Sequence, residues 1–334
     1  MRRRAAPPAL LTALAALAFA LALGAPVAVG AEIPLRPGVT QTVPGVEVGI
    51  ADQKADMFTD SRFGRLGINR ARLAIGWDAL TNPRDVAEID AWLLAAQAAG
   101  VEPLISFMHS RSRKYRRSVP SPERLKYEFR RFRQYWPWVT TFATWNEANH
   151  CGEPLCNRPK LAAAYYRVLR RECPSCTILA PEVLDMPNMS RWVKAFNRNL
   201  GYSPKIWGLH NYVEANRFKM RRLRELLRVA PRSQVWLTET GGLVRRDNGS
   251  KTKLREGASH AGEVTRYIFD RILPRNPRIT RVYLYHWNSV SAKDSWDSAL
   301  ISPAGRERSA LFVLARVLRF GLRPGANFRS VNTR

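Results

Sequence analysis

Eight short strand-like segments, each followed by a stretch of helical length, constrain this chain more than any other feature of its sequence. The strand-like runs fall at 46–50, 70–75, 102–107, 139–145, 177–180, 205–209, 234–238 and 281–286. Helical stretches follow them at 56–66, 86–99, 122–135, 159–171, 190–199, 221–229, 261–272 and 307–320. Gly100 stops the second helix, Ser121 opens the third, and Pro137 lies just beyond its end. Strands alternating with helices of this length pair in parallel through right-handed crossovers. Eight such units in about 280 residues match the size of a closed barrel. A doubly wound open sheet would carry a Gly-rich phosphate turn after its first strand, and none is present. The expected fold is an α/β (β/α)8 TIM barrel. No Ser/Gly linker or repeat divides the chain, so 32–334 reads as one domain.

The segment before it reads differently. Arg2, Arg3 and Arg4 precede an apolar stretch from Leu10 to Leu23, and small residues follow as far as Ala31. That order is a secretory leader over 1–31, removed before Glu32. The apolar stretch is too short for a spanning helix, so a soluble, secreted monomer without stable membrane insertion is expected. The formal net charge is +27, and loss of the leader's three arginines barely changes that. Such a field attracts polyanions, but most arginines fall in helix-like stretches as solvated faces. Residues 111–117 (RSRKYRR) differ, because they belong to a loop beside the expected site. That position favours an acidic substrate. A nucleic-acid partner rests on charge alone, with no recognition motif. Cys151, Cys156, Cys173 and Cys176 flank a helix about 22 Å long at 1.5 Å per residue. One tetrahedral metal could not use both pairs, and an oxidising compartment favours bridges. The expectation is two local disulfides, Cys151–Cys156 and Cys173–Cys176, and no metal.

In such a barrel, chemistry collects where strands end and βα loops begin. Two carboxylates stand there. Glu147 follows the fourth strand in Thr144-Trp145-Asn146-Glu147, and Glu239 closes the seventh in Thr238-Glu239-Thr240-Gly241. Those ends face each other across the mouth, so two inward carboxylates can flank one bond. Alone, either glutamate reads as an ordinary salt-bridging residue; together they favour glycoside hydrolysis.

The segments 145–149 and 238–241 resemble clan A of the glycoside hydrolases, family 5 in particular, with family 39 next. The resemblance spans essentially the whole chain after the leader. It implies Glu239 as nucleophile and Glu147 as acid/base, with Arg72, His109, Asn146, His210, Tyr212 and Trp287 as substrate-binding or supporting residues. Arg70 competes with Arg72 on spacing, and the alignment selects Arg72. Each residue then has a physical task. Arg72 and Tyr212 would favour the ionised form of Glu239, while burial or a nearby negative charge would raise the pKa of Glu147 so that it starts protonated. Asn146 would bond the sugar 2-hydroxyl, Trp287 would offer an apolar face, and His109 and His210 would bond hydroxyls or orient neighbours. Ala148 departs from the proline common in the clan, which loosens the loop that residues 151–156 then brace. The implied activity is retaining hydrolysis of a poly- or oligosaccharide, with no cofactor. Transglycosylation through the same intermediate, or a non-catalytic carbohydrate-binding barrel, are the alternatives.

Overall fold

The computed structural model describes residues 45–247, 249 and 252–320. The leader expected at 1–31 lies outside the described residues. The strands are β1 (Glu47–Ala51), β2 (Arg70–Gly76), β3 (Glu102–Met108), β4 (Thr141–Ala143), β5 (Thr177–Leu179), β6 (Val183–Leu184), β7 (Ile206–His210), β8 (Gln234–Thr240), β9 (Arg245–Arg246), β10 (Ile279–Tyr285) and β11 (Trp296–Asp297). Nine of them form one parallel sheet in the order β5-β4-β3-β2-β1-β10-β8-β7-β6. β5 and β6 are two halves of a single stave. The first half pairs with β4 and the second with β7, and Ala180 N–H donates to Ile206 O between them. The sheet therefore closes on itself as a (β/α)8 barrel.

The helices are α1 (Ser61–Leu66), α2 (Pro83–Ala98), α3 (Pro122–Tyr135), α4 (Pro159–Glu172), α5 (Met189–Leu200), α6 (Tyr212–Asn216), α7 (Arg221–Val229), α8 (Ala258–Tyr267) and α9 (Ser309–Phe320). Local chemistry explains their limits. Ser121 Oγ accepts from Arg124 N–H at the start of α3, with Pro122 at the first helical position. Leu125, Phe129 and Phe132 then share one buried face. Phe129 and Phe132 meet Phe107 of β3 and Phe142 of β4 edge-to-face, each ring worth about 1.5–3 kcal/mol of burial. The helix expected at 56–66 is interrupted. A 3-10 turn over Ala55–Thr59 gives way to α1 because Asp60 caps the new start. The one expected at 261–272 begins earlier and ends in a π-turn over Ile268–Ile272.

Alternation along the strands sorts side chains between two cores. Ala71, Leu73 and Ile75 of β2 face the helices, in the larger cluster. Arg70 and Arg72 face inward, one layer apart. At the lower layer, Arg70 and Arg281 bridge Glu47 and Glu102 in a four-residue ion ring. The middle layer is apolar, with Leu104, Ala143, Leu179, Trp236 and Tyr283. Arg72 stands opposite Leu104 in the β2–β3 register, on the mouth side of Arg70.

Candidate active site

One irregularity decides what faces the mouth. In β8, Trp236 pairs with Gly208 and Glu239 with His210, so three residues of β8 span two of β7. The same extra residue shows against β10, where Leu237 pairs with Val282 and Thr240 with Leu284. Trp236 points inward, so strict alternation would turn Glu239 outward. The bulge restores the phase, as bulges beside active sites do. Glu239 Oε1 thus reaches Arg72 Nη1 at 2.5 Å, and Tyr212 Oη donates to Glu239 Oε2 at 3.2 Å.

Glu147 arrives by a different route. The chain leaves β4 through Thr144 and Trp145, and Asn146 N–H donates to Phe107 O. Glu147 then adopts a left-handed backbone, φ +42°, rare for a residue with a side chain. His210 Nδ1 lies 3.1 Å from Glu147 Oε1 and 3.8 Å from Glu239 Oε2. His150 Nδ1 lies 3.5 Å from the other Glu147 oxygen. Asn146 Oδ1 accepts from Arg72 Nη2 at 2.8 Å, which leaves its amide donors as the group a hydroxyl ligand can use. Asn149, last of the motif, is structural. It accepts from Leu184 N–H and donates to Leu184 O, clamping β6 in place.

The clamp matters because β6 follows Glu182, which sequence reasoning missed. Glu182 is fully buried. It takes Arg72 Nε at 2.7 Å and Nη2 at 2.5 Å, accepts from Ser106 Oγ at 2.5 Å, and lies 3.7 Å from His210 Nε2. Space for it comes from Gly208, where a Cβ would sit 2.5 Å from Glu182 Cγ. A carboxylate at a strand end beside the motif was visible, but its partner Arg72 is 110 residues away.

Electrostatics follow from this packing. Burial would push the Glu182 carboxyl up, but Arg72 and His210 outweigh it and hold it far below the usual carboxylate range. Burial alone would lower His210; Glu239, Glu147 and Glu182 instead raise it to about 10. Glu147 corrects an expectation. Burial is the largest single influence and raises it, yet the charged His210, with His150 and Arg72, brings its net shift below the ordinary value. The two groups titrate as a coupled pair, His210 with Glu147.

The remaining expected residues divide. Arg72, His210 and Tyr212 contact the two glutamates, and Asn146 joins them through Arg72. His109 is buried and spoken for. Its Nδ1 meets Glu153 Oε1 at 2.5 Å, and Glu153 Oε2 accepts from Trp145 Nε1 at 3.0 Å. Trp287 is not at the mouth surface. Its side chain is fully buried, donates to Asp60 Oδ2 at 3.1 Å and packs edge-on to Phe63 at 5.5 Å. The half-exposed aromatic rings there are Tyr285 and Trp296. Tyr212 meets Tyr285 at 6.5 Å and Trp296 at 4.9 Å, both edge-on. Trp296 belongs to the loop after β10, which is tied to the loop after β8 by the antiparallel β9–β11 pair.

Both expected disulfides form, Cys151–Cys156 in the loop before α4 and Cys173–Cys176 at its far end. The first closes the loop that carries Glu153. In the basic loop, Arg111 is matched by Asp85 and Glu88, and Arg117 donates to Cys151 O. Arg116 lines a cavity of about 590 Å³ that also takes in His109. Among the described residues no cluster of metal-ligating side chains occurs, and no helix is long and apolar enough to cross a membrane.

Comparison with protein-family models finds no match, and comparison with curated protein sequences finds none either. Solved structures do match. Native xylanase 10B from Thermotoga maritima superposes with a TM-score of 0.59 at 12% identity, over 84% of this chain and 96% of that one. The β-glucuronidase 2 of Bacteroides uniformis, covalently bound to cyclophellitol-6-carboxylate aziridine, gives 0.57 at 14% identity, over 84% of this chain and 36% of that one. A family 39 glycoside hydrolase from the gut symbiont Bacteroides cellulosilyticus gives 0.53 at 13% identity, over 84% and 65%. At these identities the likeness is one of fold, and the fold this chain shares with all three is the barrel described above.

Proposed function

We propose that this chain is an exported retaining glycoside hydrolase acting on O-glycosidic bonds of a poly- or oligosaccharide, with Glu239 as nucleophile and Glu147 as acid/base. The observation that carries the reading is the shared contact of both glutamates with His210 Nδ1, at 3.1 and 3.8 Å. Those two oxygens can be no farther apart than the sum of the distances. That ceiling accommodates a retaining pair, at about 5–5.5 Å, and reaches only the lower edge of the inverting range of about 6.5–9.5 Å.

In the first step a Glu239 oxygen attacks the anomeric carbon, the bond to the leaving oxygen breaks, and that oxygen takes a proton from Glu147. In the free enzyme this proton is shared within the contact of His210 Nδ1 and Glu147 Oε1. In the second step water attacks the same carbon, gives its proton back to Glu147, and frees the Glu239 carboxylate. Arg72 and Tyr212 hold Glu239 for attack, and the amide donors of Asn146 meet a neighbouring hydroxyl. Fold neighbours that include a xylanase and a β-glucuronidase held in a covalent adduct support the reading. A preference for acidic glycans is supported by Arg116, which lines the cavity beside His109, while Asp85 and Glu88 in the same lining match Arg111.

Incubation with a panel of activated 2-fluoro glycosides, followed by peptide mass spectrometry, tests the mechanism. A single adduct on Glu239, absent in Glu239→Gln, is the expected result. Product of inverted anomeric configuration from any turned-over substrate sinks it.

A further inference from the structure

Tyr212, which donates to Glu239, stands on a helix too short to hold itself in place. α6 runs for five residues, Tyr212–Asn216, and a single turn costs more to nucleate than its own hydrogen bonds return. Its position is set from outside. The amides of its first turn have no helical carbonyl to meet, and the side chain of Asn211, at the capping position, makes no capping bond. Asp185, the residue after β6, supplies the acceptors instead. Its Oδ2 accepts from Glu214 N–H at 2.7 Å and its Oδ1 from Val213 N–H at 3.4 Å. Both amides lie within two residues of Tyr212.

The anchor is itself fixed. Asp185 N–H donates to His210 O at 3.0 Å, and Asn149 clamps the preceding Leu184 through both its N–H and its O. One strand end is thus joined to the loop of Glu147 on one side and to the turn of Tyr212 on the other. The far end of α6 is held separately. Asn216 donates to Gly241 O and accepts from Leu243 N–H, in the loop that follows Glu239. Glu214 accepts from Arg222 N–H at 2.6 Å, at the start of α7. Asp185 is the tie at the end that carries the tyrosine. Burial, then the charge of Glu239, pushes the Tyr212 hydroxyl well above its usual value, so it stays a neutral donor to that carboxylate.

We infer that Asp185 is a positioning residue, which fixes α6 so that Tyr212 Oη meets Glu239 Oε2 and thereby sets how fast Glu239 attacks. The inference rests on Glu239 as nucleophile, the reading proposed above. The Asp185 oxygens are spent on two backbone amides, so its effect passes through the helix. A shift of about 1 Å in a group of this kind is worth up to roughly a hundredfold in rate. Burial pushes the Asp185 carboxyl up to about 7, with the charge of Glu214 adding to the rise and the two amides opposing it. Above that value both oxygens are free to accept; below it a proton occupies one of them.

The test is made on the full chain, about one pH unit above that value, by timing the covalent labelling of Glu239 with an activated 2-fluoro glycoside that reacts with wild type. Tyr212→Phe should slow labelling by roughly tenfold to a hundredfold, the effect of losing a hydrogen bond to a charged group. Asp185→Ala should slow it by about as much, and the double variant should be within about twofold of the slower single one. Asp185→Asn, which keeps one oxygen for Glu214 N–H, should recover most of the rate. Ser121→Ala removes the cap of α3 instead; it should lower the melting temperature and leave labelling within about twofold of wild type. Should Asp185→Ala not fold, Asp185→Leu, of greater volume and without an acceptor, takes its place. Losses that multiply in the double variant, an equal loss in Ser121→Ala, or an Asp185→Ala rate within about twofold of wild type would each overturn the role while leaving Glu239 as nucleophile. Wild type that no reagent labels overturns the nucleophile instead, and the tie is then read from a crystal structure of Asp185→Ala. Tyr212 Oη drawn back from Glu239 by about 1 Å supports it; a hydroxyl that has not moved overturns it.

Discussion

Glu182 grips Arg72 at two points, Nε to Oε1 at 2.7 Å and Nη2 to Oε2 at 2.5 Å, and neither side chain is more than 1% exposed. Arg72 spends its remaining donors on Glu239 and Asn146, so one buried guanidinium is shared by the expected nucleophile and its neighbour. Removing one partner of such a pair leaves an uncompensated charge in a dry site, at a cost of about 3–5 kcal/mol. Glu182→Gln should therefore lower unfolding free energy by about that amount, read from urea midpoints. Gly208→Ala should displace the same carboxylate and destabilise by more than about 1 kcal/mol, as overpacking does. A Glu182→Gln loss below about 1 kcal/mol would show that Glu239 alone satisfies Arg72.

Stability should depend on pH in a way that identifies His210. Its folded pKa is raised from 6.5 to about 10, so its contribution is complete below pH 6.5 and fades as pH climbs through about 10. Glu182 works in the opposite sense. It is lowered from 4.5, so its contribution holds above that value and is lost as pH falls. Calorimetric melting temperatures should form a plateau between these limits and decline on the alkaline side. His210→Asn should flatten the alkaline decline. An unchanged slope there would assign it to other groups.

Trp296 and Trp287 make opposite predictions. Trp296 is half-buried against Tyr212 at the mouth, so Trp296→Ala should reduce kcat/KM by roughly tenfold, mainly through KM, with little change in melting temperature. Trp287 is fully buried, and Trp287→Ala should cost about 3–5 kcal/mol of stability. Steady-state kinetics and denaturation on both variants decide it. A KM effect confined to Trp287 would reverse the assignment.

The Cys151–Cys156 loop carries Glu153 against His109 and Trp145. Cys151→Ser combined with Cys156→Ser should cost about 2 kcal/mol for a loop this short. It should also speed amide exchange in residues 145–156, where Glu147 sits. Unaltered exchange there would mean that the hydrogen bonds of Glu153 hold the loop without the bridge.

The barrel was legible because hydrophobic periodicity changes cleanly eight times along the chain. Each of the eight expected strands is present, and the fifth stave is completed by β6 at Val183–Leu184, beyond the expected 177–180. What sequence missed depends on long-range packing. Glu182 shows its role only when Arg72 and Ser106 are folded onto it. The short α6 was unseen because its start is set by Asp185, whose carboxylate accepts from Glu214 N–H at 2.7 Å. Trp287 was read as a platform because a tryptophan at a strand end looks the same whether it faces cavity or core. Its N–H to Asp60 and its contact with Phe63 settle that it faces the core. The pKa of Glu147 was expected to rise through burial or a nearby negative charge; the imidazolium of His210 brings it below the ordinary value instead.

The extra residue in β8 has a bearing on engineering this scaffold. Whether a carboxylate or a threonine looks into the mouth depends on how many residues separate Trp236 from that point, not on which residues they are. Deleting Leu237 or Thr238 would set Glu239 two residues from Trp236, the spacing at which plain alternation faces it inward without a bulge. Single-residue deletions here should therefore leave Glu239 aimed at the mouth with the ladder regularised, so grafts and loop exchanges onto this barrel can keep the present count with its bulge, or one residue fewer without it.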